Sequence, residues 1–357
     1  MRPGQAAPGS TATAREGLRG RRGLVRTPGW RMLGLLVCLA VLITAILASI
    51  LVGARGISVG TVLDAVFTFD GSTEHLIIWQ LRIPRTVVGL VVGPALGLAG
   101  ALIQAFTRNP LADPGILGVN AGAGLFVTIA IGFLGVTDPR GYVWFALLGA
   151  AVVTALVYTI GASGHGPATP LRLTLAGVAL AAVLGGIASG ITLKNPDAFD
   201  GMRFWGTGSI GGRDLEVVLV LLPLILLGAV LALGTGPALN ALAMGDDLGR
   251  ALGTQVARTR VLVLIAVTLL AGTATALAGP IGFVGLMVPH IVRWIVGPDQ
   301  RWILLYTLVT APILLLVSDV VGRVLLPNGE LRVGIVTAAI GAPVLIILAR
   351  RKNVSGL

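Results

Sequence analysis

The chain has 357 residues, of which 55% are hydrophobic and only 11% charged, and its mean hydropathy is +0.94. Soluble domains carry roughly a quarter charged residues, so this composition excludes an ordinary soluble domain and indicates a polytopic membrane protein. The net charge of +11 would suggest nucleic acid as a partner in a soluble protein, but a membrane protein places Lys and Arg on its cytoplasmic loops, so nucleic acid is set aside.

Residues 1–31 are rich in Gly, Ala, Pro and Arg, lack an apolar pattern and read as a disordered, basic cytoplasmic tail. The remainder, 32–352, reads as one transmembrane domain. Its first span, about 33–53, is too long for a signal-peptide core. Cys38, the single cysteine, lies within that span, which excludes an internal disulfide and suits a packing role. A lipoprotein cleavage site at Cys38 is disfavoured by bulky Val37 and by the spans that follow. Residues 54–80 are mixed and amphipathic, with Asp64, Asp70, Glu74 and the loop residue His75. Arg82 and Arg85 flank Pro84 ahead of the second span, 86–105, which carries no charge and at ~1.5 Å per residue covers a ~30 Å hydrocarbon core. Within it Gly89, Gly93 and Gly97 fall on one face, spacing that lets two helices approach closely in a bilayer.

A polar knot, Thr107 to Pro114, leads to spans at about 116–135 and 142–162; a loop with His165 leads to a span at 173–192. After a long polar loop, span six covers 217–234. The stretch 236–260 is too polar to cross and alternates small apolar residues with charges, as a short helix–turn–helix on a surface would. Four further spans follow at about 261–278, 281–297, 302–321 and 333–349. The fold class is therefore all-α, a polytopic membrane protein of about ten helices. Ten spans put both termini on one side, and taking that side as cytoplasmic puts the larger share of Lys and Arg inside.

An internal repeat is also visible. Leu98-Ala99-Gly100, Pro110 and Gly118 recur at a constant offset as Leu277-Ala278-Gly279, Pro289 and Gly297. An offset of five spans inverts orientation, so the chain is expected to contain two inverted halves, about 32–215 and 216–352, with a pathway at their interface.

Several long stretches carry a specific resemblance: LRIPRT at 81–86, TRNPLADPGILGV at 107–119, the 237–260 loop, GPIGFVGLMVPHIVRWIVG at 279–297, and the end of the chain from 327 to 351. Over residues 30–352 the chain closely resembles the FecCD-type permease subunits of ABC importers for iron–siderophore complexes, haem and cobalamin. The resemblance implies a cell-membrane permease that pairs with a second permease subunit, two cytoplasmic ATPases and an extracytoplasmic binding protein. It implies no cofactor on this chain, with ATP and Mg held by the ATPase. The residues agree on one point: neither lysine, Lys194 or Lys352, follows the G-x-x-x-x-G of a phosphate-binding loop.

The resemblance also assigns roles. Ala243, Met244, Gly245, Asp246, Asp247, Ala251, Leu252 and Gly253 fall where the family docks its ATPase; the pattern alone fits an amphipathic linker equally well. Arg82, Arg85 and Arg323 fall where the family pairs arginines with glutamates of the binding protein, a task suited to the bidentate guanidinium. Interfacial snorkelling, or for Arg323 an i,i+4 pair with Asp319, explains the same residues. Asn109 and Leu111 match the family's cytoplasmic gate, while Thr169 to Arg172 depart from its second constriction. His290 and Arg293 lack neighbours for a metal site, and His290 is expected to bond backbone freed by Pro289. No catalytic set stands out. The rival function, an ion-coupled secondary transporter, needs ionisable residues in the spans, and these are few.

Overall fold

Long apolar runs in a bilayer must satisfy their own backbone hydrogen bonds, and every regular element among the described residues is helical. The computed structural model describes residues 23–25, 27–53, 56–163, 169–326 and 329–350. In chain order the helices are α1 (Pro28–Leu51), α2 (Val59–Phe67), α3 (Thr73–Thr107), α4 (Val119–Leu134), α5 (Pro139–Ala162), α6 (Pro170–Lys194), α7 (Pro196–Trp205), α8 (Leu215–Ala243), α9 (Asp246–Ala251), α10 (Val256–Ala278), α11 (Val284–Val296), α12 (Gln300–Val324) and α13 (Val333–Arg350). Seven are long and apolar enough to span a membrane: α1, α3, α5, α6, α8, α10 and α12. With the shorter apolar α4, α11 and α13 they account for the ten expected spans.

Helix starts follow local chemistry. Thr27, Asp138, Thr169 and Asn195 each precede a proline at the first helical position and accept a first-turn N–H, so α1, α5, α6 and α7 begin where a cap and a preset φ coincide. The core centres on α3, which packs against α8, α10, α11 and α12. Its glycine stripe seats α12. A Cβ on Gly89 would lie 2.5 Å from Leu316, one on Gly93 2.6 Å from Pro312, and one on Gly97 2.6 Å from Ala311. One turn on, a Cβ on Gly100 would lie 1.8 Å from the Gly285 carbonyl oxygen, so α3 and α11 touch backbone to backbone.

Several expectations are corrected. The second spanning helix begins at Thr73, because Ser72 caps it and a π-helical turn at Ile77–Arg82 carries it without a break into the span. His75 is therefore a buried helical residue, its Nδ1 2.7 Å from the Asp70 carboxylate. The sixth spanning helix runs on to Ala243 and absorbs the start of the polar stretch, leaving α9 as its one separate helix before α10. The expected tail is shortened, since α1 starts at Pro28 and the Leu24 and Val25 N–H groups donate to Trp294 and Ile295 at the end of α11 (3.1 and 3.0 Å). Residues 1–22 of that tail, and His165, lie outside the described residues.

The repeat register also fails locally. Gly100 sits within α3 but Gly279 caps α10; Pro110 sits in a turn but Pro289 lies inside α11. What recurs is coarser: a long helix with one π-helical turn, a link without α-helix, then a short helix, as α3–α4 and again as α10–α11.

Candidate gate, coupling and docking sites

At the end of α3, Arg108 adopts a left-handed conformation, φ 51°, at a cost of about 1 kcal/mol for a residue with a Cβ. The chain turns there: Asn109 N–H donates to Gln104 O at 3.1 Å, and Asn109 Oδ1 accepts from Leu111 N at 3.0 Å. Pro110 is buried, Leu111 half-buried and Asn109 exposed at the tip. Asp113 then accepts from Gly115 N at 2.8 Å and opens a 3₁₀ turn, Pro114–Leu117, ahead of α4. Burial pushes the Asp113 carboxyl above its ordinary range, against the pull of that hydrogen bond. Gln104, which sequence reasoning missed, is fully buried and donates to Gly285 and Leu286 O at 3.3 and 2.9 Å. It ties α3 to the first turn of α11.

On the same side α8 ends at Ala243, and the backbone reverses at Gly245, whose φ of 112° only glycine adopts easily. The eight predicted coupling residues divide by environment. Met244, Asp247, Ala251, Leu252 and Gly253 are exposed; Ala243, Gly245 and Asp246 are half-buried. Leu248 was missed; it is exposed on α9, as are Met244 just past the end of α8 and Leu252 just past the end of α9. Asp247 pairs with Arg250 inside α9, at 2.8 Å. Asp246 turns inward, accepting from Arg108 at 2.5 Å and from Arg260 at 2.6 Å. Beside it is a cavity of about 210 Å³, lined in part by Arg108, Thr169, Pro170, Asp246, Thr259 and Arg260.

On the opposite side the three predicted arginines cluster, but two of them are buried. Arg82 Nη1 donates to Ile50 and Leu51 O at 2.6 and 2.8 Å, and Arg323 donates to Ser49 and Val52 O at 2.9 Å each. Both therefore satisfy carbonyls left over at the C-terminus of α1, where a cation also suits the helix dipole. The expected Asp319–Arg323 pair is present at 3.1 Å. Arg85 is less buried; it meets Glu330 at 2.7 Å and Asp319 at 3.9 Å. Nearby, a cavity of about 480 Å³ is lined by Tyr142, Asp197, Asp200, Phe204, Arg213 and Arg332 among others. Arg332 bonds Thr207 Oγ1 at 2.9 Å and the Phe204 carbonyl, holding the end of α7. Desolvation, then the neighbouring Arg213 and Arg203 charges, lower its pKa.

Within α11, His290 is buried and meets Trp294 edge-on at 4.8 Å. The three guanidinium nitrogens of Arg293 are buried and make no hydrogen bond among the described residues.

Residues 41–351 match the FecCD transport family. The chain is 50% identical to the ferric enterobactin transport system permease protein FepD of Escherichia coli (strain K12), covering 89% of this chain and 95% of that one. It is 42% identical to the probable siderophore transport system permease protein YfiZ of Bacillus subtilis (strain 168), covering 88% and 95%. A solved structure of a metal-chelate type ABC transporter in an inward-facing conformation superposes with a TM-score of 0.78 at 29% identity, covering 88% of this chain and 98% of that one.

Proposed function

We propose that this chain, which belongs to the FecCD transport family and is the membrane permease of an ABC importer rather than an enzyme, carries iron–siderophore complexes inward across the cell membrane. ATP is hydrolysed by a separate ATPase subunit. That membership sets aside the ion-coupled alternative. The observation that carries the substrate reading is 50% identity over 95% of a ferric enterobactin permease.

The working unit has two permease subunits, either two copies or this chain with a homologue, two ATPases inside and a binding protein outside, with both termini cytoplasmic. The exposed side chains Met244, Leu248 and Leu252, with Ala243, Gly245, Asp247, Ala251 and Gly253 shaping the turns around them, dock the ATPase; large apolar side chains exposed in an aqueous loop are otherwise costly. Asn109 and Leu111 close the cytoplasmic mouth. On the outer face Arg85 is the arginine positioned to exchange Glu330 for a carboxylate of the binding protein, while Arg82 and Arg323 hold the end of α1 beneath it. The permease supplies the path, and the binding protein supplies most of the selectivity.

The test is reconstitution of the permease with its ATPase and binding protein in lipid vesicles, followed by uptake of an iron-55-labelled ferric siderophore. ATP-dependent accumulation is expected. Uptake that proceeds without the ATPase, or an absence of uptake for every ferric siderophore the binding protein holds, would refute the reading.

A further inference from the structure

We propose that Asp246 is a positioning residue that ties the motor-docking helix α9 directly to the cytoplasmic gate. The inference rests on the reading of α9 and of Asn109–Leu111 given above, and it adds the physical link between them.

Asp246 is the first residue of α9, yet its carboxylate does not face the cytosol. One oxygen accepts from Arg108 at 2.5 Å and the other from Arg260 at 2.6 Å. Arg108 ends α3 and immediately precedes Asn109; Arg260 stands in the second turn of α10. A single carboxylate thus joins α9, the gate segment and α10. The bonds are charge-assisted; the Arg260 bond is part-shielded, with the Asp246 and Arg260 side chains 28% and 18% exposed, while Arg108 is 40% exposed, and the shared carboxylate holds both guanidinium groups. Asp247 is the contrast: its side chain is 99% exposed and its partner Arg250 belongs to the same helix, so it ties nothing together.

The backbone makes the link short. Arg108 is held left-handed, and its peptide leads straight into the Asn109 turn. Gly245, on the other side of Asp246, has nothing within 4 Å of its would-be Cβ and forms a pivot between α8 and α9. A displacement of α9 about that pivot pulls on Arg108, and the turn follows. The cavity beside the triad gives these side chains room to move, and its wall includes Thr169 and Pro170 at the start of α6. Three segments at the cytoplasmic mouth therefore meet at one carboxylate.

The test uses the complete reconstituted importer and reads transport per ATP hydrolysed. Asp246→Asn and, separately, Arg108→Gln should retain ATPase co-purification and ATP hydrolysis while transport per ATP falls about fivefold or more. A reversed triad (Arg108→Asp, Asp246→Arg and Arg260→Asp) should recover part of that loss relative to Asp246→Arg alone. Thermal unfolding of each purified variant separates misfolding from uncoupling, and a variant that unfolds at the wild-type temperature with transport per ATP unchanged overturns the proposal. Loss of ATPase co-purification in Asp246→Asn would also overturn it, placing Asp246 in the motor contact itself. Failure of the wild-type importer to accumulate ferric siderophore would instead count against the functional reading and is seen in the control.

Discussion

Arg82, Arg85 and Arg323 show how far a residue's role depends on what lies far away in sequence. The i,i+4 pairing of Arg323 with Asp319 is legible in the chain, because helical spacing alone brings the two together. The carbonyls of Ser49, Ile50, Leu51 and Val52 that receive Arg82 and Arg323 are not, because no local pattern says where α1 ends against α3 and α12. Arg323→Met leaves Asp319 buried with only Arg85 near it, at 3.9 Å, and strands the α1 carbonyls. Breaking a buried pair this way costs about 3–5 kcal/mol, so chemical denaturation in detergent should show a fall of that order. Arg85→Met removes a pair whose partner Glu330 is 43% exposed and a looser one to Asp319 at 3.9 Å, but leaves Asp319 with Arg323 at 3.1 Å, so it should cost about 1 kcal/mol. The same Arg85 variant is expected to weaken the binding-protein complex, measured by titration at several salt concentrations. Equal stability losses for the two variants would contradict this division of labour.

Among the elements, the existence and order of the spans were readable, while their ends, their irregularities and the short helices α2 and α7 between them were not. Apolar runs mark the spans, and the glycine stripe of α3 announces a close neighbour; that the neighbour is α12 required the fold. The π-helical turns at Ile77–Arg82 and Thr268–Gly272 have no local signature, since they add one residue to a turn without changing its composition. In the 236–260 stretch Met244 and Leu252 were assigned by the family resemblance, and Leu248 was not, although it lies exposed on α9 between them. Leu248→Asp with Leu252→Asp should abolish ATPase co-purification while leaving the permease folded, because truncating a central apolar anchor typically costs about 2 kcal/mol or more. Gly100→Val forces α3 and α11 apart, since its Cβ would meet the Gly285 carbonyl at 1.8 Å, and should destabilise by about 3 kcal/mol or more. Gly186→Ala on α6, with nothing within 4 Å, should leave unfolding of the isolated subunit within about 0.5 kcal/mol of wild type.

For the whole molecule, the helices left uncovered say where a second subunit belongs. Two spanning helices bury little of their length within this chain: α1 buries only Ala45 and Ser49, α6 only Leu173 and Gly177. Their bare faces differ in chemistry. On α1 the exposed residues are bulky, including Leu33, Leu36, Val37, Ile43 and Leu47, as lipid contact favours. On α6 bulky Leu175, Val178, Val183 and Ile187 are exposed as well, but Gly185, Gly186 and Gly190 are set among them with open space beside each. Small residues on a bare helix in a bilayer favour another protein surface or a pathway over lipid. The start of α6, at Thr169 and Pro170, shares a cavity with Arg108, so the exposed Asn109 stands near the start of α6. Asn109 from each of two permease subunits is therefore expected to approach its counterpart across the axis between them. Cysteine at Asn109, with Cys38 replaced by Ser and the equivalent position changed in a homologous partner, should cross-link between subunits under mild oxidation. The cross-link should stop uptake, and reduction should restore it. Cysteine at Leu36 on α1, facing lipid on this argument, should not cross-link. Cross-linking at Leu36 but not at Asn109 would place the second subunit against α1 and remove Asn109 from the gate.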